Sequence, residues 1–527
     1  MKQMRCHDLT VFRFCIVFLT IILCVLVISF PDMAFAYNDD NLSEILEGFE
    51  DDTAVPDSAP NITPNITPNI TPNVTPNVTQ DTIEAPDDMD VLDGFDDAFE
   101  EYPAPTDSAG SDQPETSSEV SPLSLDGYFK ISSSYNFAHN RPQPGQTDWR
   151  GLSRLRTELQ LDLNIDLPRQ WQALVSGKGF YDFAYRINGK DDYTDEVIDE
   201  YESEIEFREV YLLGTITKNI DIKLGRQIVV WGKSDNIRVT DVINPLDIRE
   251  PGMTDIEDLR LPLTMTRVDY YVGDFNISAM AIHEIRFNKT PAFGSDFYPF
   301  PIPPPPENKP DSTLENTEFS LAVNGIFSGW DFSAYYSDVY NDEPRFEAIT
   351  GSSIPTVQLT HDRLQMIGSA ANIALGNWLL KGEAAWIHGF EFANTPGKKY
   401  DRIDVLAGVE YSGFLETLIS IEAVNRHINN FNPILKQPPG LAKEDQFQSA
   451  FRFSRTFVND TITLTVLASL FGLTGDDGAF ERYTIEYDIN DSLAVLFGIV
   501  TYQSGDLPEM QNIGQNDRVL IEAKYSF

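Results

Sequence analysis

The sequence predicts an all-β chain, a transmembrane antiparallel β-barrel of about 18 strands with 16 as the alternative count, preceded by a disordered acidic arm. Three observations predict it. Apolar and polar residues alternate with period two over runs of about ten to fourteen residues, longer than the strands of most soluble sheets. Short and long connections take turns along the chain, as they do in barrels that cross an outer membrane. No segment beyond residue 36 supplies 18 consecutive apolar residues, so crossing by helices is excluded.

The N-terminus reads as an export signal. Lys2, Arg5 and Arg13 lead into an apolar run from Phe14 to Phe30, and Ala34-Phe35-Ala36 has the small-x-small form of a signal-peptidase site. Residues 1–36 are therefore expected to be cleaved, with a retained anchor as the alternative. Cys6, Cys15 and Cys24 all fall in this segment, so the mature chain is expected to have no disulfide and no thiol chemistry.

Residues 37–126 differ in composition from everything after them. They contain 23 acidic residues and no Lys or Arg, with abundant Pro, Ser, Thr and Asn, too little apolar surface to fold alone. Within them "NITPNITPNITPNVTPNVTQ" (61–80) places Pro64, Pro68, Pro72 and Pro76 at a four-residue beat, which favours a stiff polyproline spacer. Two similar pieces flank it, "ILEGFEDD" (Ile45 to Asp52) and "VLDGFDDA" (Val91 to Ala98). Each suits either a short motif docking to a periplasmic partner or a duplicated fragment without one. The chain carries a net charge of −44, and its later part is acidic too, which argues against nucleic acid as a partner.

The barrel is expected over residues 127–527. In "LRTELQLDLNIDL" the residues Leu155, Thr157, Leu159, Leu161, Leu163, Ile165 and Leu167 share one face, and Arg156, Glu158, Gln160, Asp162, Asn164 and Asp166 the other. Tight turns are expected at 168–170, 217–218, 273–274, 328–329, 376–377, 413–414, 459–460 and 490–491. Longer loops are expected between them, and eight turns with nine loops join 18 strands. An even count leaves both termini on the periplasmic side. The last strand, "RVLIEAKYSF", carries Val519, Ile521, Ala523, Tyr525 and Phe527 on one face. Its terminal Phe527 resembles the signal read by the barrel-assembly machinery of Gram-negative bacteria, which implies outer-membrane lipid as the surrounding medium.

A barrel of this size is wide enough for an aqueous lumen. Arg156, Glu158, Asp162, Lys178, Arg208, Lys223 and Arg267 are candidates for its wall, whether they select solutes or only solvate the interior; Arg186, Glu206, Asp221, Glu410 and Glu422 belong to the same set. "GRQIVVWGKSDNIRVTDVINPLDIRE" (225 to 250) reads as an upward fifth strand, Asn219 to Trp231, emptying into a charged third long loop over 233–258. Folded inward, this loop would narrow the pore. Arg226, Lys233 and Arg238 would then face Asp235, Asp241 and Asp247 across the lumen, or pair with the wall and staple the loop. Strict alternation puts Arg226 on the outward face with Ile222 and Leu224, and a bulge at Gly225 is the expected remedy. Trp231 is expected in the aromatic belt at the membrane interface.

The stretch "LGRQIVVWGKSDNIRVTDVINPLD" resembles the signature of an uncharacterised Gram-negative outer-membrane family catalogued as domain of unknown function 1302. "LRLPLTMTRVDYY" (Leu259 to Tyr271) is similar to that family too, and the likeness in layout spans residues 127–527. It implies a large porin-like barrel and names no solute.

Catalysis is not expected, because no nucleophile lies beside a histidine and an orienting partner in any familiar spacing. Beyond the signal the histidines are His139, His283, His361, His388 and His427, mostly at extracellular strand ends; His388 and His427 are the first to consider for a rim metal site, although neither metal nor cofactor is expected. Two functional classes follow. One is a channel for small polar or cationic solutes with the third loop as constriction, oligomeric in the manner of trimeric porins. The other is a non-conducting anchor or interaction protein whose arm binds a periplasmic partner or plugs the barrel.

Overall fold

The computed structural model describes residues 122–349 and 356–527. The expected signal, the proline spacer, both flanking motifs and all but the last five residues of the arm lie outside the described residues. The first strand begins at Leu123, so four positions read as arm belong to the wall. Leu123 and Leu125 alternate with Ser124 and Asp126, which is the period of the strand they open.

The wall starts with β1 (Leu123–Asn136), β2 (Gly151–Leu167), β3 (Trp171–Asp182) and β4 (Ser203–Thr217). Three short strands follow, β5 (Ile220–Gln227), β6 (Leu263–Val272) and β7 (Phe275–Ile282). After β8 (Glu307–Asn308) come β9 (Glu318–Phe327), β10 (Trp330–Tyr340), β11 (Arg345–Ile349) and β12 (Thr356–Thr360). The chain continues through β13 (Arg363–Leu375), β14 (Trp378–Glu391), β15 (Lys399–Phe414), β16 (Thr417–Ile428) and β17 (Asp445–Phe457). It ends with β18 (Ile462–Phe471), β19 (Gly478–Asn490), β20 (Leu493–Gln503) and β21 (Arg518–Ser526). Eighteen of these form one sheet, antiparallel throughout and closed by pairing of β1 with β21, while β8, β11 and β12 make a small separate sheet in the loops. Closure leaves no unpaired edge, the condition for a sheet to stand in hydrocarbon.

Every expected tight turn is present within one or two residues of its expected place. The largest offset is at Gly413-Phe414. There β15 runs on to Phe414, and Glu416, at φ 50°, supplies the left-handed residue of the turn.

The faces divide as the period-two pattern requires. On β2 Leu159 and Leu161 are exposed on the outside, whereas Glu158 is buried within. Ile205, Phe207, Ile367, Leu380, Trp386, Val405 and Ile421 continue the exposed apolar face around the barrel. This is the band that lipid would cover. The largest buried cluster is inside and joins two kinds of segment. Wall residues Leu263, Met265, Met280, Ile282, Tyr335, Met366, Ile387 and Val424 pack against Val229, Trp231, Ile237, Val239 and Ile243 of the segment between β5 and β6.

Candidate functional site

That segment, 228–262, leaves the wall because β5 ends at Gln227, which is still paired to Leu263. It turns into the lumen, and its apolar residues find the inward-facing Leu, Met and Ile side chains of the wall. Trp231 therefore corrects the sequence expectation. Instead of facing lipid at the interface it is 5% exposed and stacks on Tyr335 inside the barrel, ring centres 4.6 Å apart. The physical reason is that a residue past the end of the ladder no longer obeys the strand's alternation. The apolar positions 229, 231, 237, 239 and 243 were the available signal for a packed loop, and its charge obscured them.

Two wall carboxylates hold the loop backbone. Glu383 on β14 accepts from the N–H groups of Lys233 (2.6 Å), Ser234 (2.9 Å) and Thr240 (3.1 Å), and from the Thr240 hydroxyl (2.8 Å). Glu422 on β16 accepts from the Ser234 hydroxyl (2.7 Å), from the N–H groups of Asp235 (3.0 Å) and Asn236 (3.1 Å), and from the Asn236 side-chain amide (3.3 Å). Buried carboxylates are tolerated when such charge-assisted bonds satisfy them. Sequence reasoning placed Glu422 on the wall without this role and missed Glu383. Nothing in a strand marks which inward carboxylate a distant loop will meet.

Each of the six expected constriction residues has a partner. Lys233 pairs with Asp331 (2.7 Å), and Asp235 with Lys381, which also reaches Glu410 (3.3 Å). Asp241 is buried between Arg238 (3.2 Å) and Arg260 (3.0 Å). Asp247 pairs with Arg249 (2.6 Å), which also meets Glu204 of β4 (2.8 Å). Arg226 lies between Glu206 (3.0 Å) and Glu284 (2.9 Å). The bulge expected at Gly225 is absent from the register, which runs unbroken on both sides of β5 through that residue. Gly225 instead takes φ 125° in place, and the wall's bulge nearby is on β4, where Arg208 and Glu209 stand opposite Ser176 alone. Arg226 thus keeps the register of Ile222 and Leu224 and is neutralised at the strand's end, where Glu206 and Glu284 reach it.

The loop occupies one side of the lumen, and a cavity of about 920 Å³ remains along β1 to β4 and β17 to β21. Ten cationic and twelve anionic side chains line it, so the strong acidity of the whole chain does not extend to this surface. Arg156, Glu158, Asp162, Lys178 and Arg208 are among them. Lys223 and Arg267 face each other across the β5–β6 ladder and lie outside this lining. The loop's far arm borders the cavity through Glu250 and Asp255. Asp255 pairs with Arg482 and with Arg452 (3.9 Å); Glu250 pairs with Arg154 and Arg156 (3.6 Å). Burial acts to raise the Glu250 carboxyl, but the guanidiniums of Arg154, Arg156 and Arg518 outweigh it and hold it at about 2.

His388 and His427 each pair with a single carboxylate, Asp401 (2.6 Å) and Asp445 (2.9 Å). Among the described residues no three metal-binding side chains come together.

The family described as protein of unknown function, DUF1302, matches residues 103–527. No curated protein matches the chain. Among solved structures, the chain is similar to OccAB2 of Acinetobacter baumannii, at 9% identity and a TM-score of 0.48 over 77% of this chain and 98% of that one. It is similar also to OccK5 (OpdH) of Pseudomonas aeruginosa, at 9% identity and a TM-score of 0.44 over 77% and 98% of the two chains. A loop-deletion variant of OmpT, an outer membrane protein of Vibrio cholerae, gives 11% identity and a TM-score of 0.36 over 77% and 100%.

Proposed function

The chain belongs to the DUF1302 family, whose description names no activity, and from the geometry of its barrel we propose that it is a porin-like outer-membrane channel for small polar solutes. The observation that carries this reading is the lumen cavity of about 920 Å³ lined by 22 charged side chains of both signs, inside a wall whose outer face is apolar. Buried charge costs free energy unless it is paired or hydrated, and an aqueous path hydrates the lining charges that ion pairs leave unmatched. In this reading the segment 228–262 sets the width of the path. It is tied by Glu383, Glu422 and Lys381 on one side and by Arg154, Arg482 and Glu204 on the other. The near balance of charge predicts weak ion selectivity rather than the strong cation preference that the net charge of −44 suggests.

The test is conductance of the purified chain in planar lipid bilayers. Discrete steps with a reversal potential near zero in a KCl gradient are expected. A barrel that inserts and never conducts would overturn the channel reading and leave the anchor as the alternative.

A further inference from the structure

The strands that close the barrel place Lys130 of β1 directly opposite Lys524 of β21. Like charges at opposed cross-strand positions are destabilising, and closure does not require them; the next inward row pairs Ser132 with Glu522. The compensation is partial. Glu158, opposite Lys130 on β2, is 5% exposed and takes Lys130 (3.2 Å), Lys178 (3.1 Å) and the Tyr128 hydroxyl (2.8 Å). Lys524 stands 4.9 Å from the centre of the Tyr128 ring and, among the described residues, has no carboxylate within ion-pair distance. Arg208 borders the same cavity from the β4 bulge, and its one hydrogen bond among the described residues goes to the Arg260 carbonyl (3.2 Å). Bulges re-aim side chains in this way.

Two cations thus share one buried carboxylate, and Lys524 and Arg208 line the same cavity without a carboxylate partner among the described residues. Glu158 fixes Lys130 and Lys178 in position while leaving most of their ammonium donors unused, because each ammonium has three. Asp258 lines the same cavity, as do Glu486 and Glu522, which flank Leu496 one row away from Lys524. We propose that Lys130, Lys178, Lys524 and Arg208 form an oxyanion subsite in the lumen, where a small solute carrying a carboxylate or phosphate group pauses during passage. The proposal rests on the channel reading and narrows its solute class.

Single-channel recording on the full chain tests it, with succinate and inorganic phosphate as probes and glycerol as the neutral control. Millimolar succinate or phosphate is expected to cause transient blockades whose frequency rises with concentration, and glycerol none. Response to succinate alone assigns the subsite to carboxylates, and response to phosphate alone to phosphates. Lys524→Gln and Lys178→Gln should each lower blockade frequency about tenfold. Lys524→Arg should keep it, and so should Lys309→Gln in an extracellular loop. Conductance without blockades, or blockades unchanged in both glutamine variants, would overturn the subsite and leave the channel standing. Complete lack of conductance would remove both.

Discussion

Glu383→Gln is the sharpest single perturbation of the inserted loop. The native carboxylate accepts four hydrogen bonds, two on each oxygen, at 2.6 to 3.1 Å. A glutamine keeps one accepting oxygen and turns an amide donor toward the other pair, so that two donors face each other. Two charge-assisted bonds are lost, each of about 1.5–3 kcal/mol, which weakens loop docking by about 3–6 kcal/mol. At 1.4 kcal/mol per factor of ten, the ratio of docked to released loop falls by roughly 10² to 10⁴. Adding Glu422→Gln removes the second anchor and deepens the effect. Two readouts follow the loop rather than the barrel: single-channel conductance, expected to rise and become noisy, and tryptic cleavage after Lys233 or Arg238 in the folded protein. Retention of the compact, heat-modifiable band in electrophoresis checks that the wall persists. If the double variant matched the parent in both conductance and protease resistance, the anchoring argument would be wrong.

Two further predictions concern backbone and pH. Gly225→Ala would put a Cβ 2.2 Å from the Val210 carbonyl oxygen at φ 125°, a cost of about 2–6 kcal/mol from strain and overpacking. Gly382→Ala on β14 meets nothing within 4 Å and should shift stability by no more than about 0.5 kcal/mol; thermal loss of the heat-modifiable band compares the two, and equal midpoints would refute the distinction. The Glu250 carboxyl lies at about 2, below its ordinary 4.5, so its ion pairs contribute fully above pH 4.5 and lose their contribution as the pH falls toward 2. Protection of the loop from an acid protease should therefore decline over that window in the parent and decline less in Glu250→Gln, and parallel profiles would exclude Glu250 as a tether.

Much of this architecture is local chemistry and could be read without coordinates. The alternation in "LRTELQLDLNIDL" assigned Leu159 and Leu161 outward and Glu158 inward because a strand's side chains have a period of two, whatever surrounds it. The turns at Gly273-Asp274, Ser328-Gly329 and Gly376-Asn377 were legible for the same reason, since turn chemistry is carried by two adjacent residues. Alternation of short and long connections then gave the strand number.

The interior of the barrel could not be read this way. Trp231 was misplaced because the strand rule was carried past Gln227, where the ladder stops. The partners of the loop 233–258, Asp331, Lys381, Glu383 and Glu422, come from wall strands about 100 to 190 residues later in the chain. Sequence determined the wall, because each strand is specified by its own residues and its immediate neighbours. Only closure of the sheet decided which residues meet across the lumen: it brought the inserted loop to its anchors and set Lys130 against Lys524. Those meetings depend on barrel diameter and register, quantities to which all 18 strands contribute.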